Sequence, residues 1–239
     1  MKKYKAIILA AGRGKRIKKI FNKPKCLLRF RNNDLTIIQR LYEMLKSKKI
    51  SNIIVVTGYK KNLIKKTLGK KVKYYFFKNY NKSNNLQTLL SIKKELKGNL
   101  LCFFSDLIFD KNILEGILKN KNDFCIAIDT GKILNGTMRI KKRGNKIIDI
   151  GNQIKRSDGH GNFIGISKFS KKGTTLLKKY LIQEKKNTKN YYTLALKNIA
   201  QDGVKINFFD CKKYFWKEID TAKDFYDVKN IVVNNEFKY

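Results

Sequence analysis

Five short apolar runs, each set off from the next by a helix-length amphipathic stretch, constrain this chain more than any other feature. They span residues 4–9, 53–57, 72–77, 100–104 and 124–128, and are rich in Ile, Val, Leu and Phe. Runs of this length bounded by Gly, Asn or Asp read as buried strands. Between them, Leu35, Ile38, Leu41, Tyr42 and Leu45 recur at helical spacing behind a candidate cap, Asp34. Leu63, Ile64 and Leu68 lie in a lysine-rich helix, and Asn84 and Asn85 open a third carrying Leu86, Leu89, Leu90 and Ile92. Strands alternating with helices predict an α/β fold: a three-layer, Rossmann-like, mixed and mostly parallel sheet covered on both faces.

Beyond residue 128 the pattern changes. Residues 137–141 and 146–150 flank Arg143-Gly144-Asn145 as a hairpin, and residues 163–169 form another apolar strand. Helices are expected at 171–183, 192–201 and 221–233, and strands at 204–209 and 214–219. No linker or repeat interrupts the 239 residues. Residues 1–239 are therefore read as one domain, with residues 129–170 a small β-rich insertion over the site. Such a chain can bury roughly 70–75% of its unfolded surface, which excludes general disorder.

Ligands of open α/β sheets sit beyond the carboxyl ends of the strands. That edge collects residues 10–16, Gly58-Tyr59, residues 79–85 and Asp106. The strongest segment is Leu9-Ala10-Ala11-Gly12-Arg13-Gly14-Lys15-Arg16, directly after a strand. Small residues allow close backbone approach, successive N–H groups can form an anion nest, and Lys15 and Arg16 add charge for phosphates. It is neither the dinucleotide Gly-x-Gly-x-x-Gly nor a P-loop.

Charge admits a competing class. Fifty-five Lys and Arg against 18 Asp and Glu give a net charge of +37, which suggests a nucleic-acid binder. The cations are 47 Lys and only 8 Arg, spread along the whole chain among many Asn, Ile, Tyr and Phe. All of these have A/T-rich codons, and nucleic-acid surfaces favour Arg for bidentate contacts. Genome composition explains the charge, and no specific nucleic-acid partner is expected. The positive field still steers anionic substrates inward. The four cysteines show no Cys-x-x-Cys pair and read as reduced, buried apolar residues. No apolar run approaches the ~20 residues that span a bilayer, and the opening apolar run is too short for a signal peptide. A cytoplasmic protein without membrane insertion is expected.

The glycine segment, followed by Lys23-Pro24-Lys25, resembles the nucleotidyltransferases that activate small phosphorylated substrates. Within them it is most similar to the short cytidylyltransferases of the phosphocholine and 2-aminoethylphosphonate type. Val56-Thr57-Gly58-Tyr59, Ser105-Asp106-Leu107, Gly161-Asn162-Phe163 and Glu218-Ile219-Asp220-Thr221 support this. The resemblance implies the nucleotide-diphospho-sugar transferase type of sheet. It implies that Leu9, Ala10, Ala11, Gly12, Arg13, Gly14, Lys15 and Arg16 wrap the triphosphate of CTP, with Gly58 close by. Lys25 and Arg16 would stabilise transition-state charge, and Asp106 and Asp220 would hold Mg²⁺. Asn79, Asn84, Asn85 and Thr88 lie where relatives read base and ribose, although helix-start polarity also accounts for them. The competing reading of Asp106 and Asp220 is as turn or helix-capping residues.

A phosphomonoester or phosphonate is already largely ionised near neutrality, so its oxygen can attack the α-phosphorus without a dedicated base. The sequence offers no Ser/His/Asp set; His160 is its only histidine. Asp129, Asp158, His160 and Asn162 are the acceptor candidates, with Asp129 and Asp158 suited to an ammonium group. Relatives often carry an acidic residue where Asn162 stands. The reading leaves room for a homodimer. Its alternative among enzymes is a sugar-1-phosphate nucleotidyltransferase using UTP or dTTP, and against that stands Asn85-Leu86-Gln87-Thr88 in place of a Gly-x-Ala-Gln-like segment.

Overall fold

The computed structural model describes residues 3–233. In chain order the strands are β1 (Tyr4–Ala10), β2 (Asn52–Thr57), β3 (Lys73–Phe76), β4 (Asn99–Phe104), β5 (Leu107–Phe109) and β6 (Phe124–Asp129). They continue as β7 (Met138–Arg143), β8 (Lys146–Gly151), β9 (Gly161–Phe169), β10 (Asn207–Asp210) and β11 (Trp216–Glu218). The helices are α1 (Ile37–Ser47), α2 (Lys61–Leu68), α3 (Asn85–Leu90), α4 (Lys111–Lys119), α5 (Lys171–Gln183), α6 (Thr193–Gln201) and α7 (Ala222–Val233).

One sheet runs in the order β10-β6-β9-β4-β1-β2-β3, with β7 and β8 joined at the side of β9. Strands β3, β2, β1 and β4 are parallel, β9 is antiparallel to β4 and β6, and β10 is parallel to β6. The sheet is thus mixed and mostly parallel, as the alternating pattern predicts. Strand β9 pairs with β7 over Gly161–Phe163 and with β4 over Ile166–Phe169, and its register with β6 shifts between these halves.

Side chains alternate across β1. Ile7 and Leu9 face the layer of α3, α5 and α6, together with the β7–β8 hairpin. Ala6, Ile8 and Ala10 face α1, α2 and α4. Fully buried parallel strands with both faces covered explain why these runs read as continuously apolar. Helix α7 packs Val228 and Val232 with Ile17, Leu28 and Phe30, so it closes over the glycine loop's flank. All four cysteines are buried and free. No helix among the described residues is long and apolar enough to cross a membrane.

Two local readings need correction. Asp34 does not cap α1. Thr36 does, its hydroxyl accepting from the Gln39 N–H at 3.3 Å while the Gln39 side chain accepts from the Thr36 N–H at 3.0 Å. This reciprocal box satisfies two otherwise orphaned donors, which a lone Asp cannot. Leu35 accordingly lies outside the helix, 40% exposed, and Asp34 pairs with Arg40. The second correction is β5: the sequence pattern places no strand between residues 104 and 124, yet β5 forms there and pairs antiparallel with β11.

A charged cluster ties β1 to β3. Glu95 accepts from Lys5 at 2.8 Å, from Lys73 at 2.7 Å, and from Tyr75. The bonds from Lys5, then Lys73 and Tyr75, lower its carboxyl pKa from the usual 4.5 to about 2. A depressed carboxylate stabilises the fold above its unfolded pKa and loses that contribution as pH falls through its folded one. Glu95→Gln is therefore expected to lower the urea midpoint at pH 7, with the gap to wild type closing as pH falls from about 4.5 through about 2. A gap independent of pH would remove the assignment.

Candidate active site

Strand β1 delivers its carboxyl end into a loop of small residues. Gly14, at φ 56°, turns the chain into a short 3₁₀ segment, Lys15–Ile17, whose Ile17 is buried. A Cβ on Gly14 would sit 2.8 Å from the Lys25 side chain, so the loop and Lys25 pack together only because position 14 lacks one. Gly12 has no atom within 4 Å of its would-be Cβ, which leaves its pocket side open. Pro24 then leads into a second 3₁₀ turn, Lys25–Leu27. Burial of Cys26 and Leu27 fixes this turn and aims Lys25 across the loop mouth.

Lys25 meets two carboxylates there. Its ammonium pairs with Asp106 and lies 2.6 Å from Asp220, while Arg16 reaches the other Asp220 oxygen at 2.7 Å. Burial works against the Lys25 charge, but Asp106 and Asp220 outweigh it and its pKa is raised. Asp106 follows β4, and the β5–β11 ladder sets Leu107 opposite Glu218. The Ile219 N–H donates to the Asp106 carbonyl at 2.9 Å. This ladder brings Asp106, Glu218 and Asp220 together, with one oxygen of each within 4.8 Å of the others. Burial first, then the charges of Asp106 and Asp220, raise the Glu218 carboxyl pKa.

The capping roles go to other residues. Asp110 caps α4, accepting from the Asn112 N–H at 2.7 Å. Asp224 accepts from the Thr221 N–H and hydroxyl at the start of α7. Both leave Asp106 and Asp220 free to face Lys25. Three carboxylates without a nitrogen or sulfur donor suit a hard cation such as Mg²⁺.

A cleft of about 200 Å³ opens beside this cluster, lined by residues 9–12, Arg16, Lys25 and Asp106. Tyr80, Ser83, Asn84, Asn85, Thr88 and Tyr191 form its other wall. Asn84 caps α3, and its amide donates to the Lys189 carbonyl at 3.2 Å. Asn85 accepts from the Tyr192 N–H at 2.8 Å. Both amides therefore hold the segment before α6 against the cleft. Asn79 offers its carbonyl to Lys82 and Ser83, and Gly58 lies behind the loop against the Ala11 carbonyl. A larger concavity of about 730 Å³ lies at the opposite end of the sheet, lined by lysines such as Lys3, Lys49 and Lys97. It lacks the cluster of opposed charges.

The acceptor candidates divide. Asp129 and Asn162 are register partners on β6 and β9. Asp129 accepts from the Gly131 N–H at 2.7 Å and from the Trp216 indole at 3.0 Å, two residues from Glu218. Asn162 is fully buried, donating to the Lys132 carbonyl and accepting from Leu134 and Thr137. Asp158 pairs with Lys141 on the surface, and His160 accepts from the Lys142 N–H at an exposed position. The structure thus brings Lys25, Arg16, Asp106 and Asp220 together and leaves Asp158 and His160 on the hairpin's outer side. Glu218, Tyr80 and Tyr191 are additions. Glu218 was legible, since it ends a strand two residues before Asp220.

The MobA-like NTP transferase domain matches residues 6–135, more than half of the chain. The chain belongs to that family. It is a nucleotidyltransferase, and the resemblance drawn from its glycine loop is borne out. One relative, CTP:phosphoglutamine cytidylyltransferase of Campylobacter jejuni, is 28% identical over 214 residues, covering 78% of this chain and 84% of that protein. Another, choline-phosphate cytidylyltransferase of Streptococcus pneumoniae, is 33% identical over 126 residues, 51% of this chain and 53% of the relative. Among solved structures, CTP:phosphocholine cytidylyltransferase of Streptococcus pneumoniae superposes with a TM-score of 0.77 at 22% identity, covering 96% of this chain and 99% of that one. The inositol-1-phosphate CTP transferase of T. maritima gives 0.81 at 16% identity, covering 98% and 96%. At these identities the structural likeness establishes the fold.

Proposed function

We propose that this chain is a Mg²⁺-dependent cytidylyltransferase that transfers CMP from CTP to a small phosphomonoester or phosphonate and releases pyrophosphate. The observation that carries this is the meeting of Lys25 with Asp106 and Asp220 at the mouth of the glycine loop. Relatives acting on phosphoglutamine and phosphocholine support the choice of CTP and a phosphorylated acceptor. The acceptor is of the phosphocholine or 2-aminoethylphosphonate type. The chain acts as one unit, with the β7–β8 hairpin segment between β6 and β9 covering the acceptor side; β9 itself, within the 129–170 stretch, is a central strand of the main sheet.

The loop from Ala11 to Arg16 would seat the triphosphate with its N–H groups and cations. Asp106, Glu218 and Asp220 would hold Mg²⁺, which when bound neutralises phosphate charge. Lys25 exchanges its carboxylate partners for the α-phosphate, where it opposes the charge that builds as the acceptor oxygen attacks in line. Thr88, Asn84 and Tyr80 face the nucleoside. Catalysis is then positioning plus charge neutralisation, and no side chain has to remove a proton.

The test is pyrophosphate release from each of the four nucleotides against phosphocholine, aminoethylphosphonate, phosphoglutamine and sugar 1-phosphates. Release is expected with CTP and a non-sugar acceptor, and only with divalent metal. Release confined to UTP or dTTP with a sugar 1-phosphate would move the assignment to the sugar nucleotide enzymes. Tight nucleic-acid retention on filters at physiological salt, without any release, would move it to a binding protein.

A further inference from the structure

The loop between β1 and the Lys25 turn carries Arg13, Lys15, Arg16, Lys18, Lys19 and Lys23 and no acidic residue. Such a segment repels itself, so its folded shape needs fastening from outside. The only deeply buried side chain between Gly12 and Lys23 is Ile17. Besides the Arg16 pair with Asp220, that fastening comes from the corner after β2, at residues 58–60. The Tyr59 N–H donates to the Ala11 carbonyl at 3.1 Å, at the loop's beginning. The Tyr59 hydroxyl donates to the Asn22 side-chain oxygen at 2.8 Å, and the Lys60 ammonium to the Asn22 carbonyl at 2.6 Å, at the loop's end. One corner therefore grips both ends.

The corner is itself specialised. A Cβ on Gly58 would meet the Ala11 carbonyl oxygen at 2.5 Å and Tyr80, a cleft residue, at 2.6 Å. Lys60 adopts φ 45°, a left-handed conformation that side chains other than Gly rarely take and that surrounding contacts must sustain. From Asn22 to Lys25 there is little slack, because Pro24 sits at φ −53° directly before the Lys25 turn. Pinning Asn22 thereby limits where the Lys25 ammonium can go.

We propose that the corner at residues 58–60 is a strap that holds the glycine loop in its nucleotide-ready shape, with Tyr59 and Lys60 as positioning residues acting through Asn22. The catalytic consequence rests on the function proposed above; the mechanical one does not. Trypsin separates the two, because the loop supplies its own cleavage sites. Without substrate, Tyr59→Phe combined with Lys60→Met is expected to raise cleavage within residues 13–23 roughly tenfold, the scale of losing two exposed hydrogen bonds. Cleavage elsewhere and the melting temperature stay near wild type. Asn22→Ala keeps the main-chain carbonyl that Lys60 holds and loses only the Tyr59 partner, so it should raise cleavage by part of that amount, and Asn22→Asp, which keeps an acceptor oxygen, should restore protection.

With substrates, the double variant should raise the nucleotide KM several-fold and lower kcat, since fewer molecules present a formed loop. Loop cleavage equal to wild type in both the double variant and Asn22→Ala would overturn the strap, whatever the reaction proves to be. Raised cleavage with unchanged KM and kcat would overturn its role in nucleotide positioning.

Discussion

Lys25→Ala is expected to cut kcat roughly a thousandfold, the upper scale for removing one positioned donor from a developing anion. Lys25 is the most deeply placed cation at the cleft, with its side chain 15% exposed against 63% for Arg16. A charge so screened from water acts more strongly on the reacting phosphate than one at the rim. The substitution also leaves Asp106, Glu218 and Asp220 facing one another with only Arg16 opposite. Stability should fall by roughly 2 kcal/mol at neutral pH, the scale of stranding a partly buried charge. Divalent metal should recover that loss by supplying the missing positive charge. The sheet lies outside this change, because Cys26 and Leu27, not Lys25, pack into the core. Near-ultraviolet circular dichroism should match wild type. Lys25→Arg keeps the charge but presents a planar fork in place of a compact ammonium, so only partial recovery is expected. A kcat within a few-fold of wild type for Lys25→Ala would end the proposed role.

How far the site could be read in advance depends on which forces place each residue. The β1 run and the glycine loop are local: apolar alternation, small residues and Pro24 act over neighbours, and the structure keeps them where the pattern puts them. The meeting of Asp106 with Glu218 and Asp220 is not local. It depends on β5 and β11, two strands of three residues each, paired across more than a hundred positions. Leu107-Ile108-Phe109 is too short to show a period of two and reads equally well as the approach to α4. The order of β9 between β4 and β6 is likewise set by long-range packing that no single run reveals. Asn84 and Asn85 were legible as a helix start, but their amides serve a segment some hundred residues away. Asp34 misled because it is a good cap by type, while the Thr36–Gln39 pair satisfies more donors.

Asp106→Asn and Asp220→Asn should each reduce metal-dependent turnover roughly a thousandfold or more, since a metal-stabilised transition state draws several kcal/mol from its ligands and each 1.4 kcal/mol is tenfold. The two should differ in a way that their neighbours dictate. Among the described residues Asp106 pairs only with Lys25, so its loss should fall on metal binding and kcat. Asp220 also holds Arg16 at 2.7 Å, so its loss should release Arg16 from the loop mouth and raise the nucleotide KM as well. Neither change should unfold the protein. The α4 and α7 caps belong to Asp110, Thr221 and Asp224, which remain. Each change also takes from the buried Lys25 ammonium one of the two carboxylates that offset its burial, so metal-free stability should fall modestly. Direct titration with Mn²⁺ followed by electron paramagnetic resonance reads the metal without activity. Weakened Mn²⁺ binding in both variants, with a KM increase confined to Asp220→Asn, is the expected result. Wild-type Mn²⁺ affinity in both would mean that these carboxylates serve Lys25 and Arg16 alone.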